Sequence, residues 1–411
     1  MTPTKLPRAK SSHSAHAHAP YPSPSGSSGK APLSRRSKSD RTSVAASIHE
    51  EPRPIIDLTG EHVPLFNDWQ ATVVDTEDQY LYIFGGCVPA PKDEWPVPTS
   101  DLYRLDLRTM QWTNLTDLLK PLRNGHFALK QPFEPRCGSA IAVYRHDGRP
   151  FLIIFGGWGG GQLRSEFITI DLTTFTWALH SQVSDGMLRI EPAMEVVGNR
   201  VYIFGGRADA QLTPGPTECS FCVIELDTKT GQWAWMKKDE KIPESLGPLG
   251  SQLGTAKWEL GFLIAKGRWA EGDIEFDETS SFVNYDFERD RWSPLTMHGC
   301  DDIPPADWFN LRSVGPLGKH VPYLCAWFLR NFEDTEDSSG FFTCDVWMIK
   351  KGTLHDTLQR LNVSQTVWEK KALVDLELFH ATGDGRLLLL GQREGGPETL
   401  NAGLCVGSNS L

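Results

Sequence analysis

YLYIFGG at residues 80–86, FLIIFGG at 151–157 and RVYIFGG at 200–206 are three near copies of one pattern. Each is followed by a polar loop and then by a second short run ending in aspartate: DLYRLD (101–106), EFITID (166–171) and CVIELD (222–227). Each unit then reaches a tryptophan, Trp112, Trp177 or Trp233. Three weaker copies follow. GFLIAKG (261–267) leads to FVNYD (282–286) and Trp292, PYLCAWF (322–328) leads to CDVWMIK (344–350) and Trp368, and RLLLLGQ (386–392) leads to GLCVG (403–407). With Phe84, Phe155, Phe204, Ala265, Ala326 and Leu390 as equivalent positions, the intervals are 71, 49, 61, 61 and 64 residues.

Runs such as LYIF and LIIF are short, rich in β-branched and aromatic residues, and apolar on both faces. They read as strands that must be covered on both sides, not as helices. A repeat of this length fits one four-stranded propeller blade, and stacking blades around an axis supplies cover on both faces. The double glycines Gly85–Gly86, Gly156–Gly157 and Gly205–Gly206 suit strand ends that need a positive φ and leave no room for a side chain. Trp112, Trp177, Trp233 and Trp292 each offer a large apolar surface, expected to face the next blade.

These residues resemble the kelch repeat: apolar run, Phe-Gly-Gly, variable loop, a run ending in Asp, then Trp. Three copies match well and three have lost the double glycine. The resemblance covers roughly residues 53–411 and implies an all-β fold of the galactose oxidase-like superfamily, a six-bladed kelch-type β-propeller. Five blades read as complete. The last lacks a fourth strand, and an uncovered edge is what sheet proteins avoid. PIIDLTG (54–60) has no other partner, so it is expected to close a split last blade.

Residues 1–52 are dominated by Ser, Pro, Gly and His and read as a disordered basic tail. They hold eight basic and three acidic side chains, a net +5. With −11 on the whole chain, the remainder carries −16. An acidic body of that size repels phosphate backbones, which argues against nucleic-acid binding. Within the tail, Arg35, Arg36, Lys38 and Arg41 surround several serines. Ser39, three residues after an arginine, is a phosphosite candidate, and the basic cluster also reads as a weak nuclear-import signal. No apolar run suggests an export signal or a membrane span. The eight cysteines are therefore expected to be reduced thiols in a cytoplasmic or nuclear protein.

Chemistry is sparse. Cys219 and Cys222 form a CxxC with no second pair, at the start of an expected strand where residues three apart point to opposite faces. The acidic run Glu333, Asp334, Glu336, Asp337 lacks calcium-loop spacing. Neither GxSxG nor HExxH occurs, and neither the copper-radical nor the iron ligand sets of kelch-superfamily enzymes can be placed. No metal, cofactor or catalytic residue is expected.

Loop chemistry is more informative. Loops after the second strands and connections between blades should emerge on one face. Trp95, Trp158, Arg207, Arg268, Trp269, Arg330 and Arg393 fall in or beside the former, and Arg136 in the latter. Arginine and tryptophan on an acidic body suit an acidic or phosphorylated peptide. The competing reading is that these arginines pair with nearby carboxylates. By resemblance, many kelch propellers bind partner peptides on that face, which implies a protein–protein interaction module, an adaptor or scaffold. The alternative is a propeller enzyme acting on a sugar or other small molecule.

Overall fold

The computed structural model describes residues 63–64, 69–75, 77, 79–88, 97–122, 134–184, 187–208, 220–246, 249, 254–258, 261–265, 282–294 and 297–298, followed by the backbone of the later strands. Backbone contacts divide the chain into Met1–Ala45 and Ala46–Leu411, and everything described falls in the second unit. Ser39, PIIDLTG (54–60), Trp95, Arg268 and Trp269 lie outside the described residues.

The architecture is all-β. The first sheet is an antiparallel meander of Ala71–Val74, Tyr80–Phe84, Leu102–Asp106 and Gln111–Asn114. The second repeats it with Ala140–His146, Arg149–Phe155, Phe167–Asp171 and Thr176–Leu179. The third uses Ala193–Val197, Arg200–Phe204, Ser220–Asp227 and Gln232–Lys241. The fourth uses Gly254–Trp258, Gly261–Ala265, Phe282–Asp286 and Arg291–Pro294. Val314–Pro316, Tyr323–Arg330, Thr343–Lys350 and Asp356–Leu361 form a fifth meander. Leu373–Ala381, Leu387–Arg393 and Leu400–Asn401 form a three-stranded sixth sheet. Two sheets gain an outer strand from the segment that leaves the sheet before them. Lys120–Pro121 runs parallel to Thr176–Leu179, and Met297–His298 runs parallel to Asp356–Leu361. The first strands of the six sheets neighbour one another in order, and Leu373–Ala381 in turn neighbours Ala71–Val74.

The repeat alignment is borne out by the pairing register. Phe84, Phe155 and Phe204 each lie opposite an alanine at the head of the first strand, Ala71, Ala140 and Ala193. Apolar residues on both faces have the expected cause. In the second sheet, Leu152 and Ile154 pack toward the first sheet, with Tyr82 and Phe84. Their neighbours Ile153 and Phe155 pack toward the third, with Val201 and Ile203. Burying a side chain of this size stabilises by about 1.5–3 kcal/mol, so each sheet is held chiefly by its neighbours.

The tryptophans correct one expectation. Trp177, Trp233 and Trp292 face the preceding sheet, not the next. Trp233 of the third sheet meets Tyr144 and Phe167 of the second, with ring centroids 5.3 and 5.1 Å apart. Trp292 of the fourth meets Phe221 of the third at 5.2 Å. The cause is register: Trp177 lies opposite Ile170, which lies opposite Leu152, so one row of side chains crosses the sheet on the side facing the first.

Aspartate and tryptophan are linked by one turn. Asp106 Oδ1 accepts from the backbone of Arg108 and Thr109 at 2.9 Å each, and Asp286 Oδ1 from Glu288 and Arg289 at 3.0 and 2.9 Å. This Asx-type turn brings the chain back as the outer strand, where the tryptophan is the second residue.

Candidate functional site

In an antiparallel meander, the loop after the second strand and the exit from the fourth lie at the same end of the sheet. The double glycines show how tightly these segments meet. Gly157 N donates to Arg189 O at 2.7 Å, and Gly86 N donates to Arg136 O at 3.1 Å. Gly156 has φ +69°, and a Cβ there would lie 2.5 Å from Arg189 O. Only glycine lets one sheet's loop close onto the connection entering the next.

Arg136 and Arg189 hold equivalent positions, each four residues before the alanine that begins a sheet. Their carbonyls bind the glycines behind them, and their side chains reach forward to their own sheet. Arg136 donates to Gly156 O at 3.3 Å and Glu166 Oε2 at 3.1 Å. Arg189 donates to Gly205 O, to Ser220 Oγ at 2.6 Å and to Asp239 Oδ1 at 3.3 Å. Burial disfavours the charge on both and pulls their pKa values down; Glu166 opposes this at Arg136, and Cys222 and Asp239 oppose it at Arg189. Arg164 joins the network through Glu134 and the Gly159 carbonyl.

A second set of residues lies two positions before the first strands. Trp69, Gly138 and Glu191 all have left-handed backbones, with φ +58°, +62° and +55°. They are joined in series across three sheets: Gly138 N donates to Trp69 O at 2.9 Å, and Glu191 N to Gly138 O at 2.6 Å. Non-glycine residues held in this region cost energy that packing must offset. Trp69 is 40% exposed there. Glu191 instead is buried and accepts from Arg207 Nη2 at 2.8 Å. Arg207 is 6% exposed, and its Nε and Nη1 have no hydrogen-bond partner among the described residues. A buried guanidinium with open donors is costly until something accepts from it.

The structure treats the expected site residues differently. Arg136 is 1% exposed and built into the wall between two sheets, its donors used by the protein itself. Arg207 lies at the loop face with one carboxylate and, among the described residues, no partner for two of its nitrogens. Trp158 opens a hairpin with Gln162–Leu163 and is part-buried. Arg330 and Arg393 are the last residues of second strands, where the expectation placed them just beyond. Arg189, Arg164, Glu191 and Trp69 were not anticipated. RCGSA (136–140) and RIEPA (189–193) share an arginine in the same repeat phase, which was a usable signal for Arg189.

Among the described residues no group of three or more His, Cys, Asp or Glu could hold a metal ion, and no helix is long and apolar enough to cross a membrane.

The profile of the KLHDC2/KLHL20/DRC7 Kelch-repeats domain matches residues 70–311. The chain is similar to acyl-CoA-binding domain-containing protein 5 of Arabidopsis thaliana, 32% identical over 127 residues, which is 31% of this chain and 17% of that protein. It is also similar to host cell factor 1 of Homo sapiens, 29% identical over 135 residues, 30% of this chain and 6% of that protein. Host cell factor 2 of Homo sapiens is 25% identical over 175 residues, 39% of this chain and 21% of that protein. The chain thus spans less than a quarter of the length of each of these relatives. Repeat pattern, sheet order and matched profile agree, and the chain belongs to the kelch-repeat family.

Proposed function

We propose that this protein is an interaction module that holds an acidic or phosphorylated segment of a partner protein on its loop face. The observation that carries the reading is Arg207, buried beside Glu191 with Nε and Nη1 lacking an acceptor among the described residues. An entering carboxylate or phosphate oxygen would satisfy donors that the fold leaves open, and arginine is suited to both. In this reading Trp69 and Trp158 supply apolar anchors, Arg330 and Arg393 end second strands at the same face, and Trp95, Arg268 and Trp269 contribute from the corresponding loops of the sequence. The body's negative charge makes nucleic acid a poor ligand, and the protein acts in the cytoplasm or nucleus without metal or cofactor.

The same reading takes the sheets as six blades, with residues 54–60 closing the last. Two observations support it. The first strands neighbour one another cyclically. Val63 also packs against the Leu81, Ile83 and Trp112 cluster of the first sheet, a place like that of Lys120–Pro121, where Pro121 lies opposite Trp177. KPL (120–122) and VPL (63–65) correspond in sequence. Lys120 follows Asn114, the end of an outer strand, by six residues, and six residues before Val63 is Asp57. On that count we take PIIDLTG (54–60) to supply the outer strand of the last sheet.

A selection of displayed random peptides on the full-length protein tests the binding reading. Enrichment of Asp- and Glu-containing sequences, competed by phosphopeptides and weakened by salt, is the expected result. Enrichment of neutral or basic sequences would reject it.

A further inference from the structure

We propose that Cys87 and Cys137 are a redox-modification site, able to form an intrachain disulfide that ties the loop of the first sheet to the entry of the second. Both are free and buried. They come from different sheets, and the backbone carries them to one point: Gly86 N donates to Arg136 O at 3.1 Å, so each cysteine is the next residue after one end of that bond. Cys87 is fixed opposite Pro98, and Cys137 opposite Trp158. The neighbouring Cys87 thiol, with burial, favours the protonated form of Cys137 and raises its pKa. A disulfide needs the sulfurs to close to roughly 2 Å with little backbone movement, and here the two backbones are already joined one residue before each cysteine.

Burial selects the oxidant. A glutathione-sized disulfide cannot reach residues 0% and 1% exposed, whereas a small hydroperoxide can enter on local opening. One thiol, losing its proton, attacks the terminal peroxide oxygen. The O–O bond breaks, and a sulfenic acid and water (or an alcohol) result. The second thiol then displaces the sulfenic oxygen as water, forming the S–S bond. Two thiols are oxidised by two electrons and one hydroperoxide is reduced.

The consequence reaches the binding face. Cys137 N donates to Trp158 O at 2.9 Å, and Trp158 N donates to Cys137 O at 2.8 Å. Fixing Cys137 to Cys87 therefore fixes the segment that holds Trp158. The disulfide itself is independent of the binding reading and is tested apart from it.

The test treats reduced full-length protein with hydrogen peroxide under native conditions, removes the peroxide, denatures the protein in the presence of excess alkylating agent, and maps it by tryptic mass spectrometry. Cys137 opens the peptide 137–145, because trypsin cuts after Arg136. The expected result is that peptide linked to the one carrying Cys87, with the loss of two free thiols and full reversal by dithiothreitol. In Cys87→Ser, the 137–145 peptide should return unlinked. If the treated wild-type protein stays folded and yields Cys137 alkylated, or as sulfinic or sulfonic acid, the proposal is overturned. The wild-type map decides the matter even if Cys87→Ser does not fold.

Discussion

Replacing Gly156 by alanine should separate the inter-sheet contact from the general cost of a left-handed backbone. At φ +69°, an L-residue pays about 1–2 kcal/mol for conformation alone. The new Cβ would also lie 2.5 Å from Arg189 O, which is backbone and cannot swing aside. Relieving that clash lengthens or breaks the 2.7 Å bond from Gly157 N to Arg189 O, a loss of about 1 kcal/mol. It also shifts the arginine whose buried guanidinium holds Gly205 O and Ser220 Oγ, charged hydrogen bonds worth about 1.5–3 kcal/mol. Together these give about 3.5–6 kcal/mol. Gly148 supplies the control: its φ is +75° and nothing lies within 4 Å of a Cβ there, so Gly148→Ala should cost only about 1–2 kcal/mol. Urea unfolding followed by tryptophan fluorescence reads both. If the two variants share a midpoint, the double glycine is not a latch between sheets, and the reasoning fails.

His180 is part-buried, and its loss of solvent pulls its pKa down from 6.5 to about 4. The unfolded chain therefore takes up this proton first. Stability is full above pH 6.5, falls as pH drops, and by pH 4 has lost about 2–3 kcal/mol from this group. His180→Asn should flatten that part of a stability–pH curve, and an unchanged slope would show that other groups cause it. Deleting residues 1–52 should leave the melting temperature within a few degrees of the parent. Deleting 1–62 should expose the last sheet's edge and cause aggregation or a large drop in melting temperature; equal behaviour of the two would reject closure by residues 54–60.

Strand ends were legible in the sequence because their chemistry is local. Gly-Gly marks the end of the second strand, and aspartate marks the turn before the tryptophan, so Phe84, Phe155 and Phe204 could be aligned without coordinates. The direction of the tryptophans was not legible, because it depends on which row of the sheet faces which neighbour. Nor was the fate of the arginines. Arg136 and Arg207 look alike in sequence, yet one is consumed by Glu166, thirty residues away, and the other retains open donors. Trp69 was missed because a left-handed tryptophan has no sequence signature; its place is fixed by the backbone bond from Gly138.

The most direct test of the central claim is the affinity of selected acidic peptides for a variant lacking the Arg207–Glu191 pair. Arg207→Ala alone is unsuitable, because Glu191, only 9% exposed, would be left as a buried charge without its partner, at a cost of about 3–5 kcal/mol. Arg207→Met combined with Glu191→Gln removes both charges, keeps the volume and leaves the net charge unchanged. Fluorescence anisotropy should show affinity reduced at least about tenfold, the equivalent of roughly 1.4 kcal/mol, with the melting temperature close to wild type. Unchanged affinity in the folded double variant would contradict the account and leave Arg207 as part of the framework alone.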